Sequence, residues 1–429
     1  MRLGGRLAAA IEVLEDIERR HRPAADALKD WGLSHRFAGS GDRAAVGNIV
    51  YDALRRKRSA CWVLDSGTPR ALAFGALALE WGMDADALDR AFHGDRFAPQ
   101  PLDEAERAAL SARDLADAPA AVQADCPDWC VPLAEEAFGA QWVAELAALA
   151  ARPPLDLRVN TLAATPQKVL AELKDAGAAP AGMLAEALRI APIAGGGRHP
   201  NVQAEPAFRK GWFEVQDLGS QIAAALAGAE GGMQVLDYCA GAGGKTLALA
   251  AAMDNRGQIF AHDAEKQRLA PIFERLRRAG ARNVQAIAGE AGLAPLGGRM
   301  DLVLVDAPCT GSGTWRRRPD AKWRLTERQL QTRMAEQAAI LDAAAAHVRP
   351  GGRLVYVTCS IFPAENARRT EAFLAANPAF AVLEPQVLWR ARFGEAAALP
   401  RISGGGLVMT PAGTGTDGFF VAVLERGPG

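Results

Sequence analysis

The chain has 429 residues, of which 49% are hydrophobic and 23% charged, with a formal net charge of −1. At roughly 100–200 residues per domain this allows two or three domains with cores of their own, which excludes a disordered tail or a small stapled scaffold. The charge balance excludes neither an enzyme nor a nucleic-acid binder that works through a local basic patch.

The opening residues Leu7 to Leu14 are apolar, but Glu12 interrupts them and the run continues into Glu15-Asp16-Ile17-Glu18-Arg19-Arg20. That is the period of an amphipathic helix and not of a signal-peptide core, and no later run is long enough to span a bilayer. Helical spacing persists to about residue 120, with Val46, Ile49, Val50, Ala53 and Leu54 on one face and the basic tetrad Arg55-Arg56-Lys57-Arg58 after them. The six cysteines, at 61, 126, 130, 239, 309 and 359, form no disulfide framework, so a reducing, cytoplasmic compartment is expected. Cys126 and Cys130 lack a second Cys/His pair nearby, and no metal site is expected.

The first strand is predicted at Leu155 to Val159, followed by a helix from about Pro166 to Ala176 and an irregular Gly/Pro-rich stretch. From Gln234 onward strands and helices alternate, with strands at Gln234 to Tyr238, Gln258 to His262, Asn283 to Ile287, Asp301 to Val305, Arg353 to Val357 and Gly418 to Leu424. Alternation of this kind predicts an α/β fold with a doubly wound parallel sheet and helices on both faces. The helix before the fifth strand starts at a capping box, Thr326 with Gln329, and Pro350-Gly351-Gly352 is expected to stop the chain after it. The organisation read from these patterns is a helical domain over 1–120, a small α+β unit over 121–228 and an α/β domain over 229–429.

Two thiols end buried strands: Cys309 in Asp306-Ala307-Pro308-Cys309 and Cys359 in Thr358-Cys359-Ser360. The carboxyl ends of strands in such a sheet face the ligand crevice, and a thiolate is a strong nucleophile near neutral pH, so the pair points to covalent chemistry. The first strand of the domain runs into Cys239-Ala240-Gly241-Ala242-Gly243-Gly244-Lys245-Thr246, a turn that lets backbone amides approach a nucleotide-like cofactor. It is not a P-loop, because position 239 is Cys where that spacing needs Gly. It lacks the last Gly or Ala of a dinucleotide fingerprint, although Asp263 lies 20 residues beyond Gly243 where a ribose-binding acid belongs, so a nicotinamide or flavin enzyme is the alternative. Asp263 reads equally as a ribose-hydroxyl acceptor or as a helix cap.

Together these segments resemble the Nop/Sun family of RNA cytosine-C5 methyltransferases. Asp237 to Thr246 is similar to the family's first S-adenosylmethionine motif, Asp306 to Cys309 to its fourth and Thr358 to Asn366 to its sixth. Leu157-Arg158-Val159-Asn160-Thr161, Val215-Gln216-Asp217, Pro319-Asp320-Ala321-Lys322-Trp323 and Asp417-Gly418-Phe419-Phe420 extend the likeness over about residues 120 to 425. The helical N-terminus is similar to the NusB-like RNA-binding domain of the RsmB branch. The resemblance implies a class I methyltransferase Rossmann-like domain and S-adenosylmethionine as cofactor. It implies Cys359 as the nucleophile on cytosine C6, Cys309 as the residue assisting the later elimination, and Asp306 on the ring's N3/N4 edge, with the reverse assignment of the cysteines as the alternative. It also implies Cys239, Ala240, Gly241, Ala242, Gly243, Gly244, Lys245, Asp263, Glu290 and Asp306 around the cofactor. Gly241 and Ala242 stand where the family usually has Ala and Pro, which loosens the turn. Arg317, Arg318 and Lys322, interleaved with Trp315 and Trp323, are the expected RNA surface. Ribosomal RNA, 16S in particular, is the favoured substrate, transfer RNA the alternative, and the expected state is a monomer. A non-catalytic RNA-binding factor on the same fold is the competing function.

Overall fold

The computed structural model of the chain describes residues 1–428, apart from the side chains of Ala288 and Glu290. Two compact units emerge, each discontinuous in sequence: one holds residues 1–153, 192–199 and 314–325, the other residues 154–191, 200–313 and 326–429.

The first unit is helical, as the periodicity predicts. Helices Leu3–Arg20, Ser40–Arg55 and Pro69–Trp81 bury Leu7, Leu14, Val46, Ile49, Val50, Phe74 and Leu77 in one core. The third of these starts where the Thr68 side chain accepts the Ala71 amide and Pro69 supplies a preset first turn. The basic tetrad does not form a free surface. Arg55 is buried and donates to Asp52 at 2.9 Å and to the Arg316 carbonyl at 2.7 Å, while Arg56 pairs with Glu80 at 2.6 Å. The segment 314–325 belongs to this unit, where its helix Pro319–Arg324 is fixed by the Trp323 indole donating to the Leu54 carbonyl at 2.6 Å. No helix among the described residues is long and apolar enough to cross a membrane.

The second unit holds two sheets. In the small one, β1 (Leu155–Val159), β2 (Ala178–Pro180), β3 (Ala187–Ile190) and β4 (Phe213–Val215) run antiparallel in the order β2-β3-β1-β4 over a core of Leu157, Val159, Val169, Leu188 and Phe213. The large one contains β5 (Gln234–Asp237), β6 (Gln258–Asp263), β7 (Val284–Ala288), β8 (Met300–Asp306), β9 (Val348–Thr358), β10 (Phe380–Val382), β11 (Arg401–Ser403), β12 (Gly406–Met409) and β13 (Phe419–Arg426). Its order is β11-β12-β13-β9-β8-β5-β6-β7, with β10 added on β13.

Strands β5 to β9 are parallel, and the chain reverses direction across the sheet where β8 returns beside β5, the switch point at which such sheets bind ligands. The sheet is not parallel throughout. β13 lies antiparallel to β9, and the short β10 to β12, absent from the sequence reading, pair antiparallel beyond it. A second difference concerns Pro350-Gly351-Gly352. The capping box at Thr326 is present and the helix runs Glu327–Ala345, but β9 begins at Val348 and the Pro-Gly-Gly segment sits inside it. There the register jumps from Met300 opposite Val348 to Leu302 opposite Arg353, and Gly351 takes φ +68°, open to a residue without a Cβ.

Candidate active site

At the switch point β5 ends in Asp237 and the loop 239–244 leads into helix Gly244–Ala252. The Ala240 amide donates to the His262 carbonyl at 2.7 Å and the Gly243 amide to the Ala240 carbonyl at 2.8 Å. Gly241 has φ +51° and Gly243 φ +83°, and a Cβ on Gly243 would stand 2.5 Å from Ile272, so this glycine is required both by its backbone and by its neighbour. Gly241 and Gly244 instead face open space, where an added Cβ would meet nothing nearer than 3.9 Å. Asp263 accepts the Gly241 amide at 3.0 Å and the Glu265 amide at 2.9 Å, so it braces the loop and starts the next turn through the same carboxylate.

The Asp237 carboxyl lies beneath this loop. Thr246 donates to one oxygen at 2.7 Å, the other oxygen is buried without a partner, and burial pushes the carboxyl up to about 7. An open glycine cradle, a helix N-terminus and an orphaned acidic oxygen suit a ligand that carries both an ammonium group and a nucleoside, so the residues present fit S-adenosylmethionine. Burial and then the Asp237, Asp306 and Asp263 carboxylates push the Cys239 thiol far up, which disfavours its thiolate.

Arg275, on helix Ile272–Ala279, holds this loop from outside. Its guanidinium donates to the Ala242 carbonyl at 2.8 Å and to Glu214 on β4 at 2.9 Å, and Arg278 donates to the same carboxylate at 2.6 Å. The sequence reading missed both Arg275 and Glu214, because their partners lie about sixty positions apart.

Lys245, in the first turn of the helix, is buried and its Nζ stands 2.6 Å from Asp306 at the end of β8. Beyond Asp306 the ladder continues, the Ala307 amide donating to the Val357 carbonyl at 2.9 Å, and the two loops that follow β8 and β9 stay zipped by the Gly313 amide on the Cys359 carbonyl at 2.9 Å. This pairing brings the Cys309 and Cys359 sulfurs to 3.3 Å from each other, both half-buried. The hydrogen bond to Cys359, followed by burial, holds the Cys309 thiol well above its ordinary range. The two sulfurs are thus hydrogen-bonded to each other, and either thiol can be the donor.

Glu365 fixes the two loops to each other. Fully buried, it accepts the Thr310 amide at 2.8 Å, the Thr310 hydroxyl at 2.5 Å, Gln337 Nε2 at 2.9 Å and the Ser360 hydroxyl. Ser312 and Ser360 share a further hydrogen bond at 3.0 Å, and the Ser312 hydroxyl accepts the Ile361 amide at 2.9 Å. The reading of the sequence included Glu365 in a motif but gave it no role. A lone acid after the apolar run Ile361-Phe362-Pro363-Ala364 is the signal that points to a buried, bonded carboxylate.

The remaining expected site residues are scattered. Glu290 lies outside the residues whose side chains are described. Arg318 is exposed and Arg317 half-exposed, but Lys322 is only 3% exposed, so the expectation of a phosphate-binding surface lysine is corrected. Its Nζ donates to the Arg55 carbonyl at 3.4 Å and sits 4.7 Å from the Trp323 ring, inside the helical unit. Among the described residues no group of His, Cys, Asp and Glu has the arrangement of a metal site.

The switch-point sheet, the glycine cradle and the bracing acid have the fold and the cofactor loop of the S-adenosylmethionine-dependent methyltransferases. Comparison with known proteins agrees: a profile described as 16S rRNA methyltransferase RsmB/F matches residues 223–425, and one for the ferredoxin-like domain of the same proteins matches residues 126–193. The chain belongs to the RsmB/F family, the RsmB-like branch of the Nop/Sun methyltransferases. Among its relatives, the ribosomal RNA small subunit methyltransferase B of Citrobacter koseri is 35% identical over 256 residues, covering 59% of this chain and 58% of that protein. The protein of the same name from Salmonella typhi is 34% identical over 304 residues, covering 70% of this chain and 66% of its own. Both alignments thus span less than two thirds of the relatives' length. Among solved structures, PH0851 superposes with a TM-score of 0.72 at 25% identity, covering 99% of this chain and 100% of its own. NSun6 from Pyrococcus horikoshii, solved with SFG, a S-adenosylmethionine analogue, shares the fold, with a TM-score of 0.59 at 23% identity over 70% of this chain and 98% of its own.

Proposed function

We propose that this protein methylates RNA, transferring the methyl group of S-adenosylmethionine to C5 of a cytosine, with 16S ribosomal RNA as the favoured substrate and the C6 atom held covalently by Cys359. The observation that carries the reading is the pair of thiols 3.3 Å apart at the ends of adjacent parallel strands, next to the Lys245–Asp306 ion pair and the glycine cradle. The names of the relatives support the RNA class; the two-thiol geometry supports the base and the mechanism.

Cytosine C5 is a weak nucleophile on its own. Cys359, as the thiolate, forms a bond to C6 and gives C5 the electron density to attack an electrophilic carbon. Bound S-adenosylmethionine supplies that carbon as the methyl of a sulfonium. Asp306, oriented by Lys245, accepts from the exocyclic N4 amino group and so fixes the N3/N4 edge of the ring for the addition. Loss of the C5 proton to water and departure of Cys359 as the thiolate then restore the C5–C6 double bond and release the 5-methylated base, with Cys309 assisting that elimination. The short contact between the sulfurs suits this division, since it keeps Cys309 within reach of the C6–S bond that must break. A cytosine in a stem must leave its stack to reach these groups.

The test incubates wild type, Cys359→Ala and Cys309→Ala with cellular RNA and labelled S-adenosylmethionine. The reading expects 5-methylcytosine from wild type, and a protein–RNA adduct that survives denaturation in Cys309→Ala but not in Cys359→Ala. The reverse adduct pattern exchanges the cysteine roles, and no label in any RNA moves the assignment to a non-catalytic RNA-binding factor.

A further inference from the structure

With Lys322 and much of the tetrad consumed inside the helical unit, the second unit presents a different basic surface. Helix Ile272–Ala279 and the turn around helix Pro206–Arg209 enclose a cavity of about 490 Å³ lined by Gln203, Phe208, Arg209, Glu274, Arg277 and Arg278. Its floor is layered. The Arg278 guanidinium lies 4.1 Å from the Phe208 ring centroid and is held there by the buried Glu214, which it shares with Arg275 and which fixes its plane.

Arg209 and Arg277 at the rim are exposed and carry the uncompensated charge. Next along the chain, Trp212 is half-exposed with the Lys168 and Lys210 ammonium groups 3.9 and 4.9 Å from its ring, both lysines exposed. Of the residues lining the cavity, Glu274 is the acid against Arg209, Arg277 and Arg278, so cations outnumber acids in the lining although the whole chain is nearly neutral.

We propose that this surface binds the substrate RNA away from the reacting base: Arg209, Arg277, Lys168 and Lys210 hold phosphates, and an unpaired base stacks on the Arg278–Phe208 layer. The choice of occupant follows from the chemistry. Exposed guanidinium and ammonium groups interleaved with aromatic faces match phosphates alternating with flat bases, whereas an apolar peptide finds no open hydrocarbon floor, the Phe208 face being taken by a guanidinium. The inference rests on RNA being the substrate class.

The experiment measures affinity of the full-length protein for 16S ribosomal RNA fragments against salt, by fluorescence anisotropy, for wild type and the double variant Arg209→Glu/Arg277→Glu. S-adenosylhomocysteine binding by calorimetry and the thermal midpoint serve as controls. Losing two phosphate contacts lowers RNA affinity about tenfold near 0.1 M salt and flattens the log–log salt slope by about 1.4, with cofactor analogue binding and midpoint unchanged. RNA affinity within twofold of wild type and an unchanged slope overturn the proposal. A wild type that neither binds nor methylates RNA overturns the proposed function as well, while one that methylates RNA with the same KM in the double variant overturns this surface alone.

Discussion

Replacing Glu365 by Ala removes the acceptor for four donors at once, three of them on residues that flank the two thiols. A hydrogen bond to a charged group is worth about 1.5–3 kcal/mol, but two of the donors keep a second partner: Gln337 Nε2 has the Pro308 carbonyl at 3.0 Å, and the Ser360 hydroxyl has Ser312 at 3.0 Å. Thr310 is half-exposed and recovers part of its loss from water. Against this stands the relief of removing a buried acid, so the net cost is on the order of 2–4 kcal/mol. Glu365→Gln keeps the shape. Its amide nitrogen can face the Thr310 and Ser360 hydroxyls, which rotate to accept, while the oxygen keeps the Thr310 amide, so this variant costs about 1–2 kcal/mol. Urea unfolding ranks the three proteins. The accompanying functional readout is the rate of adduct formation with RNA, which falls more in the Ala variant than in the Gln variant because the spacing of the sulfurs depends on the clamp, while S-adenosylhomocysteine affinity stays the same. Equal stability of wild type and Glu365→Ala, or a Gln variant worse than the Ala variant, would refute the reasoning.

Arg275→Ala and Arg278→Ala both weaken the Glu214 cluster, but only the first frees the Ala242 carbonyl. Arg275→Ala should therefore lower S-adenosylhomocysteine affinity about fivefold at unchanged kcat, equivalent to about 1 kcal/mol, with Arg278→Ala near wild type; calorimetry with equal losses in both would show that the loop does not depend on this contact. Lys322 gives a pH signature. Burial lowers its ammonium from 10.5 to about 8, so between those values the unfolded chain holds the proton and the folded chain does not, and stability rises as pH climbs through that window. The rise from this group is on the order of 3 kcal/mol and should be absent in Lys322→Met, as read from urea midpoints at pH 7.5, 9 and 10; parallel pH curves for the two proteins would disprove a buried lysine.

Much of the catalytic sheet is legible in the sequence because its strands are buried on both faces. Leu302-Val303-Leu304-Val305 and Leu354-Val355-Tyr356-Val357 are continuous apolar runs with little choice of conformation, and both lie in the sheet centre at 0–1% exposure. The turns are legible for a local reason too: Gly243 needs a left-handed backbone, and Thr326 with Gln329 caps its own helix. The short edge strands β10 to β12 are not legible, since three or four residues carry no period and exist only through pairing with β13 or one another.

By itself, then, the sequence determined the chemistry available: two thiols after two strands, a glycine turn after a third, and an acid beside one of the thiols. Only the tertiary structure decided which charges serve that chemistry. Arg55 and Arg56 stand in a basic tetrad and Lys322 in the expected RNA surface, yet Arg55 and Lys322 are buried and Arg56 is held by Glu80, while Glu365 and Arg275, unremarkable in the chain, hold the thiol loops and the cofactor loop. The physical reason is that a side chain's charge is a local property, whereas its partner and its access to water are set by residues tens to hundreds of positions away, as the Trp323–Leu54 and Arg275–Glu214 contacts are here.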